Sequence, residues 1–126
     1  LVIAGTTPGI ARTAEKFKKE KKSFRQLEVA CAFHSPLLNR SEDLFENTLN
    51  EIPFFKPAIP VWSNTTAAEY PENEKEIKRR MAEHLVKPVL FSQQLQNMYE
   101  NGARIFIEAG PGNVLTQLVK TNLGKE

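Results

Sequence analysis

Cysteine is almost absent from the sequence. Cys31 stands alone, so an intrachain disulfide and a thiolate zinc cluster are both excluded, which suits the reducing cytoplasm. Histidine is nearly as scarce, with only His34 and His84, about fifty residues apart and without a carboxylate at metal-ligand spacing; no metal site is expected. No apolar run approaches the roughly 18 residues of a membrane span, and no signal-peptide pattern is present, so no membrane association is expected. Internal repeats and low-complexity tracts are missing. An initiating methionine is missing too: the chain starts on "LVIAG", which reads as a strand and suggests a fragment or a processed chain. An excess of one charge sign is also lacking. Seventeen basic and fifteen acidic residues leave a net charge of +2. Most of the basic surplus lies in "KFKKEKKSFR", residues 16 to 25, which reads as the solvated face of a helix; it lacks the aromatic interleaving of a nucleic-acid site.

What is present is an ordinary globular composition, 40% hydrophobic and 25% charged over 126 residues, enough for one compact domain or a piece of a larger one. Strand and helix patterns alternate along it. "LVIAG" is followed by a helix for which Thr7 is the expected N-cap and Pro8 the first helical residue, with apolar positions at 10, 14 and 17. "RQLEVACAF" reads as a second strand, Leu27, Val29, Cys31 and Phe33 facing one way and Glu28, Ala30, Ala32 and His34 the other.

Ser35 and Pro36 give the N-cap and first-turn proline of a helix over roughly 36 to 50, with Leu38, Phe45, Leu49 and Ile52 on one side. "AIPVWSN" is a third strand and "TTAAEYPENE" a polar loop. Ile77, Met81 and Leu85 make the stripe of a helix flanked by His84 and ended by Pro88. A further helix carries Phe91, Leu95 and Met98 inward and stops at Gly102. "ARIFIEA" is a buried strand, and the Gly-Pro-Gly turn at 110 to 112 feeds a last helix with Val114, Leu115, Leu118, Val119 and Leu123 on one face, closed by Gly124. The fold class is therefore α/β.

His34 is the residue best suited to proton transfer. At the mouth of the helix beginning at Pro36, the positive end of the dipole would favour a neutral, proton-accepting ring. A structural histidine with both ring nitrogens satisfied at a strand end fits the same pattern. A base needs a nucleophile, and none is evident: Cys31 faces the opposite way, Ser35 is better used as a cap, and Ser63 and Ser92 lack a Gly-x-Ser-x-Gly turn. Covalent chemistry would need a nucleophile from outside this chain. The Gly-Pro-Gly turn opens a helix N-terminus as an anion site would, yet it lacks a nucleotide-binding pattern, and a tight structural turn explains it as well.

Taken in order, "CAFHSPLL", "IPVWSNTTAAEYP" and "EHLVKPVLFSQQLQNMYENGARIFIEAGPGNVL" resemble the C-terminal part of an acyltransferase domain. The family is that of malonyl-CoA:acyl-carrier-protein transacylases and the acyltransferase domains of polyketide and fatty-acid synthases. The resemblance implies an acyltransferase fold with an α/β-hydrolase-like large subdomain and a ferredoxin-like small one. Residues 1–32 would be the trailing strand-helix-strand of the small subdomain and residues 33–126 the C-terminal part of the large one.

In that family a serine attacks the malonyl thioester, a histidine takes its proton, and the acyl group passes to the phosphopantetheine thiol of an acyl carrier protein. His34 matches that histidine. The ring is typically oriented by a backbone carbonyl, and "EHLVKPV" occupies the corresponding segment, so His84 or its neighbours would support His34 and line the pocket. The two residues before the histidine go with extender choice, and Ala32 and Phe33 match the malonyl type. Strand alternation would point Phe33 away from His34, unless a bend where strand becomes helix shapes the pocket instead.

The implied partners are a CoA thioester, the carrier protein and the N-terminal part of the domain, which holds the serine, the carboxylate-binding arginine and the oxyanion donors. No cofactor beyond these substrates is implied. This chain alone is expected to be inactive. The competing expectation is a non-catalytic α/β interaction module with a structural histidine.

Overall fold

The computed structural model describes residues 2–124; Leu1 of the first expected strand, Lys125 and Glu126 lie outside the described residues. Helix α1 spans Thr7–Lys19. Its cap is Thr6, not Thr7: Thr6 is extended and its Oγ1 accepts from the Gly9 amide at 3.3 Å, so Thr7 is already helical and Pro8 is the second residue of the first turn. At the other end Lys21 takes the left-handed conformation (φ 54°) usually given to glycine. The Lys22 amide then reaches the Phe17 carbonyl at 2.9 Å and the Lys21 amide that of Lys18 at 3.1 Å, closing the helix as a Schellman motif.

After an extended stretch, a single 3-10 turn at Pro36–Leu38 leads into helix α2, Asn39–Asn50. The expected helix over 36 to 50 is thus two pieces, and Ser35 does not cap it with its side chain. Helix α3 spans Glu74–Glu83, capped by Asn73, whose Oδ1 accepts from the Glu76 amide at 3.1 Å. It packs against α2, with Leu49 buried on one helix and Ile77 and Ala82 on the other. Lys78 on α3 is buried as well; its Nζ pairs with Glu74 at 2.7 Å and lies over the Phe54 ring at 5.6 Å, where the chain breaks out of α2. Helices α4, Phe91–Glu100, and α5, Val114–Leu123, form the second packed pair, with Gln94 and Leu95 buried on α4. Gly102 ends the α4 region at φ 99°, which a side chain would resist. Burying Leu49, Ile77 and Leu95 stabilises by about 1.5–3 kcal/mol each.

Sheet is sparse. Strands β1, Trp62–Ser63, and β2, Ala68–Glu69, pair antiparallel as a small hairpin, so part of the expected polar loop after residue 64 is strand. The hairpin is tied to α4 by the Leu90 amide on the Asn64 carbonyl and by Asn97 Nδ2 on the Ala67 carbonyl, both at 2.8 Å. The strands expected at 2–5, 25–33 and 103–109 form no ladder, and of 58–64 only Trp62 and Ser63 do. The physical reason is pairing: a strand is completed by a neighbour's amides and carbonyls, and none of the described residues is laddered to these segments. Their apolar side chains are uncovered as well. Ile105 and Ile107 are 82% and 87% exposed, and Val2, Ile3, Leu27 and Val29 are also in solvent, as are Val114, Leu115 and Leu118 on the apolar face of α5.

Candidate functional site

The site begins at the end of α3. Pro88 follows closely, and the chain leaves the helix through tight turns, with the Leu85 amide on Ala82 and those of Val86 and Lys87 on Glu83. The carbonyls of His84 and Leu85 are thereby left without a partner from the next turn. His34 supplies both. Its backbone amide donates to Leu85 O at 2.8 Å, and its ring Nδ1 donates to His84 O at 2.8 Å. A carbonyl can only accept, so Nδ1 carries the hydrogen and the neutral ring presents the lone pair of Nε2 on an exposed side chain.

His34 reaches this position with φ 59°, a left-handed conformation uncommon outside glycine. Ser35 after it is buried, and its Oγ donates backward to the Ala32 carbonyl at 2.7 Å rather than forward into the helix. The expected alternation of Phe33 and His34 on opposite faces therefore fails, because the segment is not a strand and turns at His34. The Phe33 and His34 ring centroids lie 6.4 Å apart, tilted by 48°, with Phe33 half-exposed. Ala32 contributes its carbonyl to the turn. The expected dipole is corrected too: the α-helix proper starts only at Asn39, and the donors of His34 meet the negative, C-terminal end of α3.

The rings of His34 and His84 are neighbours, 5.1 Å between centroids and tilted by 40°. Burial holds the His84 imidazole below its ordinary pKa, and the nearby charge of His34 pushes the same way. His84 thus contributes a main-chain acceptor and a ring that favours its neutral form.

The serines raised by the sequence are engaged elsewhere. Ser35 bonds to Ala32, the Ser63 hydroxyl is buried and accepts from the Thr65 amide, and the Ser92 hydroxyl donates to Asn122. Among the described residues no group of three or more histidine, cysteine or carboxylate side chains is placed to hold a metal. No helix among them is long and apolar enough to cross a membrane. The Gly-Pro-Gly turn is filled from within the chain. The Glu108 carboxylate accepts from the amides of Leu115 and Thr116 at 3.1 and 2.9 Å and from the Thr116 hydroxyl at 2.6 Å, which occupies the N-terminus of α5 with an internal anion. The Leu85 carbonyl lies in the segment expected to support His34, whereas the backward-pointing Ser35 escaped the sequence reading.

The acyl transferase domain family matches residues 1–126. A malonyl CoA-acyl carrier protein transacylase of Bacillus subtilis is 34% identical over 121 residues, which cover 95% of this chain and 38% of that protein. The solved structure of a malonyl CoA-acyl carrier protein transacylase from Clostridium perfringens shares the fold with a TM-score of 0.82 at 31% identity, over 91% of this chain and 36% of the other. A second, a type II polyketide synthase acyl-carrier protein in complex with its malonyl-transacylase, has a TM-score of 0.87 at 25% identity, over 95% of this chain and 39% of the other. The chain spans less than half the length of the curated relatives it matches.

Proposed function

The chain belongs to the acyl transferase domain family, and from that premise we propose that it is the C-terminal part of an enzyme moving a malonyl group from CoA, through a serine ester, to the phosphopantetheine thiol of an acyl carrier protein. The observation that carries this reading is the main-chain support of His34: Nδ1 on the His84 carbonyl fixes the tautomer that leaves Nε2 free to accept a proton. In the first half-reaction Nε2 takes the proton of the attacking serine as its oxygen bonds to the malonyl carbonyl. The carbon–sulfur bond then breaks, and the imidazolium returns the proton to the departing CoA thiol. In the second half the carrier's thiol gives its proton to His34 and attacks the ester, and the serine oxygen leaves with that proton. While the ring is charged, its positive charge lies at the negative end of α3. The reaction needs no cofactor beyond these substrates, and the reading carries with it a cytoplasmic site of action.

The nucleophilic serine belongs, on this reading, to an N-terminal part of the domain. The same part would supply the strands beside 103–109 and the cover for Ile105 and Ile107. Residues 1–32 would belong to the small subdomain and 33–126 to the large one. Phe33, beside the His34 ring, would narrow the pocket against an α-methyl branch on the acyl group, while Ala32 and His84 complete its wall.

The test is malonyl transfer from CoA to a carrier protein by the complete domain, with and without His34→Ala. A loss of about a thousandfold or more supports the base. Undiminished transfer would return His34 to a structural role and the chain to a non-catalytic module.

A further inference from the structure

We propose that Ser35 is a positioning residue for His34: its hydroxyl, bonded back to Ala32, closes the turn that holds His34 in the left-handed conformation from which the ring reaches the His84 carbonyl. This rests on the reading of His34 as the base, which enters the test as a separate control. The local sequence dictates the arrangement. Pro36 disfavours the α region for the residue before it, and Ser35 is extended at φ −140°, ψ 157°. From there its Oγ turns away from the helix and donates to Ala32 O at 2.7 Å, bridging across His34. Only 7% of Ser35 is exposed, so water does not compete well for this hydroxyl.

The bridge matters because His34 at φ 59° sits where few non-glycine residues sit, and such a residue persists only when its surroundings over-determine it. Two of the restraints come from His34 itself, through its amide to Leu85 and its ring to His84. Ser35 supplies a third that does not depend on the ring. Without it the backbone of His34 relaxes toward right-handed or extended conformations, and the ring leaves the carbonyl. A freed neutral imidazole then has no reason to keep its hydrogen on Nδ1, and Nε2 loses its fixed aim.

The experiment uses the complete domain and reads kcat and KM for malonyl transfer together with the imidazole nitrogen-15 spectrum, the His34 signals being assigned by their loss in His34→Ala. In the unsubstituted domain at alkaline pH the neutral His34 ring is expected with its hydrogen on Nδ1; the other tautomer there overturns the proposal without any variant. Ser35→Ala is expected to lower kcat by roughly 10- to 100-fold with KM unchanged, as small misplacements of a reacting group do, and to shift the hydrogen toward Nε2. Ser35→Thr, which keeps the hydroxyl, should restore both readouts, whereas Ser35→Val, of the same shape without it, should not. Equal kcat and tautomer in the threonine and valine variants, with His34→Ala inactive, would show that the hydroxyl positions nothing. Full activity in His34→Ala would instead remove the base reading itself.

Discussion

The ring Nδ1 of His34 lies 2.8 Å from the main-chain oxygen of His84, so the acceptor that orients the ring belongs to the backbone at the end of α3. In a serine–histidine–aspartate triad, replacing the aspartate costs about 10⁴ in kcat. Here no side-chain substitution removes the acceptor. His84→Gln in the complete domain should keep kcat within about tenfold of the parent, and a loss near that of the triad case would mean that the ring of His84, not its carbonyl, carries the support.

Folding stability should fall at mildly acid pH because of His84. Its folded pKa is held down by burial and then by the charge of His34, so below the ordinary value of 6.5 the unfolded chain binds a proton that the folded one resists. The penalty is absent above about pH 7, grows as the pH falls below 6.5 toward the lowered folded value, and is constant below it. Denaturant midpoints against pH for the parent and His84→Gln should therefore run parallel above this window and diverge within it.

Glu108 adds a second loss of stability, at lower pH. Its bonds from the Thr116 hydroxyl and from the amides of Thr116 and Leu115 hold its carboxyl below the usual 4.5. The stabilisation it gives α5 is present above that value and lost as the pH drops through the lowered folded one. Glu108→Ala should speed hydrogen exchange at the Leu115 and Thr116 amides at neutral pH and leave α3 protected. Unchanged exchange would show that the start of α5 does not depend on this carboxylate.

Phe33 should set acyl selectivity. Its ring centroid lies 6.4 Å from that of His34, so under the proposed function exchanging it for a small residue would open space beside the reacting carbon. Phe33→Ser in the complete domain is expected to raise methylmalonyl relative to malonyl transfer by roughly 10- to 200-fold, the range for one methyl group. An unaltered ratio would remove Phe33 from the pocket wall.

The helices were legible because their signals are local. Pro88 and Gly102 bracket α4, and Leu49, Ile77 and Leu95 fall on the buried sides that their spacing implies. Thr6 and Thr7 are equivalent as letters, and only the extended backbone of Thr6 decides which one caps α1. Strands are relations between segments. "ARIFIEA" has the residues of a buried strand, yet no described segment pairs with it and no described layer covers Ile105 and Ile107, which face solvent. The hairpin partner Ala68–Glu69 has no alternation to announce it. At the site, the family motif singled out His34, and the resemblance led to the expectation of support from the segment around His84, where its ring nitrogen meets the His84 carbonyl. The turn was not legible: "HSP" reads as the start of a helix, and the left-handed His34 that reverses the Ser35 side chain has no sequence signature.

The most direct measurement is a crystal structure of the complete domain, read at one distance, from Nε2 of His34 to the nearest serine oxygen contributed by the rest of the chain. A hydrogen-bonded separation of about 2.6–3.2 Å, or somewhat longer without substrate, is the expected result. A His34 ring turned away from every serine, with Nε2 bonded to a structural partner, would contradict the account.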